Sequence, residues 1–238
     1  MLRCILPLGD GTLVGTSAAR LLRLRDRDLE PVAAFDRVPG RDAWHTPWGG
    51  PPDTRSLARD AEGTVYVNVH VGGIVRSREG RWEPTIDIDT DVHHVVAHPE
   101  RAGALFAACA YGLATSTDGG DSWRIDDEGL HGSYCRAVAV AGDTMVVTAS
   151  TGPFTRRAAV YRAAVGGGSF ERCTEGLPEW FTSNIDTYCL AAAEEVVAIA
   201  TDDGAVYRSD DEGATWRQVA ERLPAIHAIV VERTTTSA

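Results

Sequence analysis

Four residues able to hold an anion or move a proton, Arg55, His94, Arg136 and His227, each stand at the head of a short apolar run. Cys4 and Cys189 occupy the same place in two further runs. If the runs are equivalent strands around one axis, these positions ring a mouth with two permanent cations and two imidazoles that titrate near neutrality. A guanidinium binds carboxylate or phosphate through two parallel hydrogen bonds. Arg55 and Arg136 are therefore read as clamps for a small acidic or polyhydroxylated ligand, with His94 and His227 beside them. The competing reading pairs the arginines with Asp53, Asp87, Asp89, Asp91 and Asp186.

Two long connections add aromatic side chains. Residues 36–55 carry Trp44, His45 and Trp48, and residues 172–189 carry Trp180. Long irregular loops often serve function, and exposed tryptophans suit sugar stacking or a protein contact. The same rings could instead fill a gap in the fold. For proton transfer the candidates are His94 and His227, with Tyr134 and either Glu179 or Asp186 as a nucleophile and acid pair. A metal site built from His94, His227 and either His45 or His93 is the third possibility, and the spacing argues against it. No short-range ligand pattern occurs, and His93 and His94 alternate to opposite faces of a strand. No metal and no cofactor are expected.

Composition narrows the partners. The 238 residues carry 23 basic and 34 acidic side chains, a net charge of −11. Nucleic acid and anionic membrane need clustered positive charge, so neither is expected. Every basic residue is arginine, which excludes a lysine Schiff base or lysine general base. The five cysteines, Cys4, Cys109, Cys135, Cys173 and Cys189, are odd in number and include no C-x-x-C. Reduced core thiols are expected. No apolar run reaches the length of a signal or membrane segment, so we read a soluble, cytoplasmic protein.

The elements that must position these residues come from an internal repeat. Ser116, Asp118, Gly120, Ser122 and Trp123 match Ser209, Asp211, Gly213, Thr215 and Trp216 in the pattern S-x-D-x-G-x-[ST]-W, 93 residues apart. That is two units of ~45 residues, a spacing typical of propeller blades. Degenerate copies lie between and before them, at 163–170 and 77–82. Each copy follows short β-branched or alanine-rich runs broken by Gly, Asp and Pro, which is the signal for strands and hairpins. The first unit reads as Cys4–Leu8, Thr12–Thr16, Arg20–Leu24 and Pro31–Phe35.

Here the chain resembles the Asp-box, or bacterial neuraminidase repeat, family of sialidases and sortilin-like receptors. The resemblance implies an all-β propeller of four-stranded blades, five of them, with six as the alternative. It implies one domain over residues 1–238, with blades near 2–35, 55–86, 94–127, 136–174 and 189–220 and a closing strand at 225–232. It makes each box a structural turn between the third and fourth strands of its blade. Function is then expected on the opposite face, where six of the seven histidines fall: His45, His70, His93, His94, His131 and His227. The function expected is a binding or scaffold module for a small acidic or sugar-like ligand or a protein partner. A glycoside hydrolase or lyase at the same mouth is the alternative. A sialidase of the usual kind is argued against, because the F-R-I-P motif is missing and Arg55 and Arg136 have only Arg3 as a possible third arginine.

Overall fold

A computed structural model describes residues 1–46 and 48–232. The polar tail expected at 233–238 lies outside them. The described residues form five four-stranded antiparallel sheets, the blades of a β-propeller, with three short 3-10 turns as their helical content. The chain resolves into two compact units, Met1–Ala110 with Ala114–Ile125, and Tyr111–Leu113 with Asp126–Ala238.

Strands are numbered in chain order. The first sheet holds Leu2–Leu8 (β1), Gly11–Thr16 (β2), Arg20–Arg25 (β3) and Asp28–Pro31 (β4). The second holds Asp53–Arg59 (β5), Val65–His70 (β6), Gly73–Arg78 (β7) and Arg81–Pro84 (β8). The third holds Val92–Ala97 (β9), Leu105–Cys109 (β10), Gly112–Ser116 (β11) and Arg124–Asp126 (β12). The fourth holds Tyr134–Ala141 (β13), Thr144–Ser150 (β14), Ala159–Ala164 (β15) and Glu171–Arg172 (β16). The fifth holds Leu190–Ala193 (β17), Val196–Ala200 (β18), Val206–Ser209 (β19) and Arg217–Ala220 (β20).

The second strand of a blade is buried on both faces. All six residues of β6 are buried. Val65, Val67 and Val69 face a cluster with Leu13, Leu21, Phe35 and Trp44. Tyr66, on the other face, joins Val92, Val95 and Leu105. Period-two alternation thus feeds two cores from one strand, and each fully buried valine or leucine contributes about 1.5–3 kcal/mol.

Two expectations are corrected. The outer strand of the first blade is Asp28–Pro31, not Pro31–Phe35, because the chain reverses tightly at Asp26, which has a left-handed φ of 52°, and pairs Arg25 with Asp28. Phe35 instead sits buried in a 3-10 turn, edge-on to Trp82 at 5.3 Å. The closing strand expected at 225–232 is also not formed. In that segment Ile229 N donates to Tyr188 O at 2.8 Å, Ile226 O accepts Cys189 Sγ at 3.4 Å, and Ile226 and Ile229 pack onto the core. Exposure of Ala225, His227, Ala228 and Val230 leaves it no sheet to complete. The degenerate copy at 77–82 is a two-residue hairpin: Glu79 and Gly80 have φ of 51° and 78°, as a twist-matched turn requires.

The two full S-x-D-x-G-x-[ST]-W turns have the same internal wiring. Ser116 Oγ accepts Gly120 N at 2.9 Å and donates to Asp118 at 2.8 Å; Asp118 accepts Ser122 N at 2.9 Å and Ser122 Oγ at 2.6 Å. Ser209, Asp211, Gly213 and Thr215 repeat these bonds, in the same order, at 2.9, 2.7, 2.8 and 2.6 Å. Each turn docks on the preceding blade. Gly119 O accepts Arg76 Nη1 at 2.7 Å, and Asp121 pairs with the same guanidinium at 2.5 Å. Glu212 accepts Thr144 Oγ1 at 2.5 Å, and a Cβ on Gly213 would lie 3.3 Å from Val146. Trp216 is buried among Val146, Val160 and Val197, its Nε1 bonded to Gly213 O at 2.9 Å, whereas Trp123 is only partly buried.

All five cysteines are buried and unbridged. Burial pushes the Cys109 thiol up to about 12 and the Cys173 and Cys189 thiols up to about 11.

Trp216→Ala is expected to cost about 3–5 kcal/mol, as deletion of a buried tryptophan does, and Trp123→Ala distinctly less; thermal or urea unfolding of the two variants measures the difference. Hydrogen bonds from the turn hydroxyls and amides hold the Asp211 carboxyl at about 2 and Asp118 below the usual range, against an ordinary value of 3.8. Both groups therefore stabilise the fold above pH ~4, and the contribution is lost as pH falls through the folded-state values. The unfolding temperature of the wild type should drop over that acid window, and an Asp118→Asn/Asp211→Asn variant should show a shallower drop from a lower starting point.

Candidate functional site

The first strand of four blades carries an irregularity at one equivalent place. Pairing jumps from Leu2 to Cys4, from Thr54 to Ser56, from Val92 to His94 across β10, and from Cys135 to Ala137. The residues skipped are Arg3, Arg55, His93 and Arg136. A bulge bends the strand and re-aims the extra side chain, and bulges are over-represented beside active sites. The structural register thus gives Arg3 and His93 the position in their own blades that Arg55 and Arg136 hold in theirs. The apolar runs of the sequence point instead to Cys4 and His94, each one residue later. No such bulge marks Cys189, and His227 lies on the segment without strand pairing.

Arg3, Arg55 and His93 belong to the first unit and Arg136 to the second. The charges are largely matched within each. Arg3 Nη2 lies 3.0 Å from Asp53. Arg136 Nε donates to Asp186 Oδ1 at 2.7 Å, its Nη2 makes a second short contact there, and its Nη1 donates to Tyr134 Oη at 3.2 Å. Arg55 is close enough to lower the titration of both Asp91 and His94. His94 is corrected as a titrating group: burial first, then the Arg55 charge, lowers it to about 3, so it is neutral near pH 7.

Beside these bulges the first unit gathers a polar cluster that the sequence reading missed. His70 ends β6 on the same face as Tyr66 and Asn68. Asp91 caps the 3-10 turn Ile88–Thr90 in a left-handed conformation, φ 50° and ψ 66°, and its backbone is tied to Ile88 O and Ala110 N at 3.2 Å each. His93 follows on β9. His70 Nε2 lies 3.0 Å from Asp91 Oδ1, and His93 Nε2 lies 3.7 Å from Asp91 Oδ2. Burial acts to raise the Asp91 carboxyl, but contact with His70 and the charges of His93 and Arg55 outweigh it and hold it below its usual value. The only sequence signal for the cluster is Asp-x-His at the head of one first strand, with a histidine closing the second strand of the blade before.

The loop ahead of β5 covers this cluster. His45 and Val71 exchange backbone bonds at 3.1 and 2.9 Å, sewing the loop to the chain beyond β6. Trp48, 70% exposed, stacks on the His70 ring at 5.4 Å. Trp44 differs from expectation: it is buried against Phe35 and under the Arg41 guanidinium at 4.7 Å, so it is a core residue. His45 is exposed, its Nδ1 3.1 Å from Ala43 O.

In the second unit, Trp180 lies between the guanidinium groups of Arg157 and Arg172 at 4.2 and 3.8 Å, with His131 at 4.7 Å. His131 is itself pinned by Tyr161 Oη at 2.7 Å and Arg157 O at 2.8 Å. Glu179 accepts Trp180 Nε1 at 3.2 Å. The proposed acids Glu179 and Asp186 are thus engaged in holding neighbours. A pocket of about 140 Å³ beside Trp180, Ser183, Asp202 and Tyr207 is below the usual ligand-pocket range. A larger concavity, about 630 Å³, lies at the opposite strand ends of the second blade, between Glu62, Arg78, Glu79, Arg81 and Glu83.

No family model and no curated protein matches the sequence. Solved structures do. A GH74 enzyme from Niastella koreensis aligns with a TM-score of 0.60 at 13% identity, over 88% of this chain and 36% of that one. The extracellular domain of the putative one-component system BT4673 from B. thetaiotaomicron gives 0.63 at 15% identity, over 92% of this chain and 28% of that one. YCF48 bound to D1 peptide gives 0.53 at 14% identity, over 92% of this chain and 82% of that one. This chain therefore spans about a third of the length of the GH74 enzyme it matches. At these identities the likeness shows the β-propeller fold.

Proposed function

We propose that this propeller is a binding module of the Asp-box kind, with its ligand surface at the strand ends away from the S-x-D-x-G-x-[ST]-W turns. The observation that carries the reading is Trp48, an exposed ring stacked on His70 beside the bulged residues of the first unit. Such a ring offers an apolar face to a sugar or a peptide, next to groups that hydrogen-bond. Arg55, His45 and His70 are the polar partners in this reading. Because Asp53 already engages Arg3 in the first unit, the surface suits a polyhydroxylated, sugar-like ligand better than a free acid. Arg136, His94, His227 and Trp180 are left with supporting parts: Arg136 and Trp180 are held by their own neighbours, and His94 is buried and neutral. Among the structural neighbours, a GH74 enzyme and a peptide-bound YCF48 are propellers that serve catalysis and peptide binding respectively.

Neutral xylo-oligosaccharides and oligogalacturonates, titrated with tryptophan fluorescence as the signal, test the reading. The neutral sugars should bind more tightly than the acidic ones. Trp48→Ala should weaken binding about tenfold, as loss of ~1.4 kcal/mol of stacking predicts. Unchanged affinity in Trp48→Ala would move the ligand surface elsewhere. Release of reducing ends from either sugar by the wild type would replace the binding reading with the hydrolase one.

A further inference from the structure

We infer that His70, Asp91 and His93 form a divalent transition-metal site of the zinc type, a property the binding reading neither contains nor requires. Three elements converge on it: the end of β6, the 3-10 cap and the bulge of β9. The potential ligand atoms, His70 Nε2, the Asp91 carboxylate and His93 Nε2, lie within 4.8 Å of one another. Ligands at zinc distances of 2.0–2.1 Å in a tetrahedron stand ~3.3 Å apart, and the two separations here, 3.0 and 3.7 Å, bracket that value.

Orientation supports the same reading. His70 Nε2 and His93 Nε2 both face the Asp91 carboxylate, one on each of its oxygens. The donor set, two imidazoles and one carboxylate, is that of catalytic zinc and of iron(II) sites with open positions.

The site is also held in advance. His93 is fully buried, His70 is buried under Trp48, and the Asp91 backbone is fixed by bonds at both its N–H and its C=O. Asn68, fully buried two residues before His70, has neither amide atom hydrogen-bonded, so an unsatisfied polar group shares this interior face. Asp91 keeps about a quarter of its side chain exposed, which gives an ion a route in from solvent. Rigid ligands with supporting outer groups are what metal binding needs.

Co²⁺ titrated into the purified wild-type chain is the test. It should produce visible d–d bands that saturate at one equivalent and are bleached by Zn²⁺. Asp91→Asn and His70→Gln should lose the bands while keeping the far-ultraviolet circular dichroism of the wild type. His45→Gln and His227→Gln should retain them. A second measurement needs no variant: Zn²⁺ should move the imidazole nitrogen resonances of two histidines in ¹⁵N-histidine-labelled wild type. No bands and no shifted resonances in the wild type would overturn the assignment, as would bands that persist in both Asp91→Asn and His93→Gln.

Discussion

A serine hydroxyl and an aspartate carboxylate, closed on each other inside an eight-residue turn, set the relation between neighbouring blades. Ser116 and Asp118, or Ser209 and Asp211, satisfy the turn amides so fully that the turn becomes a rigid projection. That projection is seated on the blade before it, by Arg76 in one case and by Thr144 and Val146 in the other. Sheets whose central strands are apolar on both faces stack readily, but apolar burial has no direction. The turns supply the direction. A carboxylate with this many donors is worth more as a structural acceptor than as a base, and its depressed titration reflects that.

Fixing one set of strand ends leaves the other free to vary. At those ends the first strands bulge, and the skipped residues are Arg3, Arg55, His93 and Arg136. Within the first unit Asp53 engages Arg3, and Asp91 lies near Arg55 and two histidines, beside one large exposed ring. Within the second unit Asp186 engages Arg136. Each bulged arginine thus has an acid close by, in a chain whose net charge is −11.

Much of this architecture was legible in the residues. The paired S-x-D-x-G-x-[ST]-W motifs gave the two-blade period, and the valine-rich runs fell on strands within a residue or two. Boundaries slipped where local geometry overrode composition, as at Asp26, whose left-handed turn ends the first blade early. The site was less legible. Counting from the apolar runs chose His94, but the bulge at His93 shifts the register by one residue, and one residue reverses the face. The sequence offers Asp91 only as one of several acids for the arginines and His70 only as a histidine of the same face, because nothing in sequence order joins residues 21 positions apart on different blades. Trp44 and Trp48, four residues apart in one loop, proved opposite in role: one buried under Arg41, the other open to solvent.

The five sequestered thiols have a practical consequence. Cys4 lies in the first blade, Cys109 in the third, Cys135 and Cys173 in the fourth, and Cys189 at the head of the fifth. Each reacts only when its surroundings open, since burial keeps reagent from the sulfur. Pulsed alkylation followed by peptide mass mapping would therefore time the exposure of individual blades, turning the native cysteines into a set of clocks for partial unfolding.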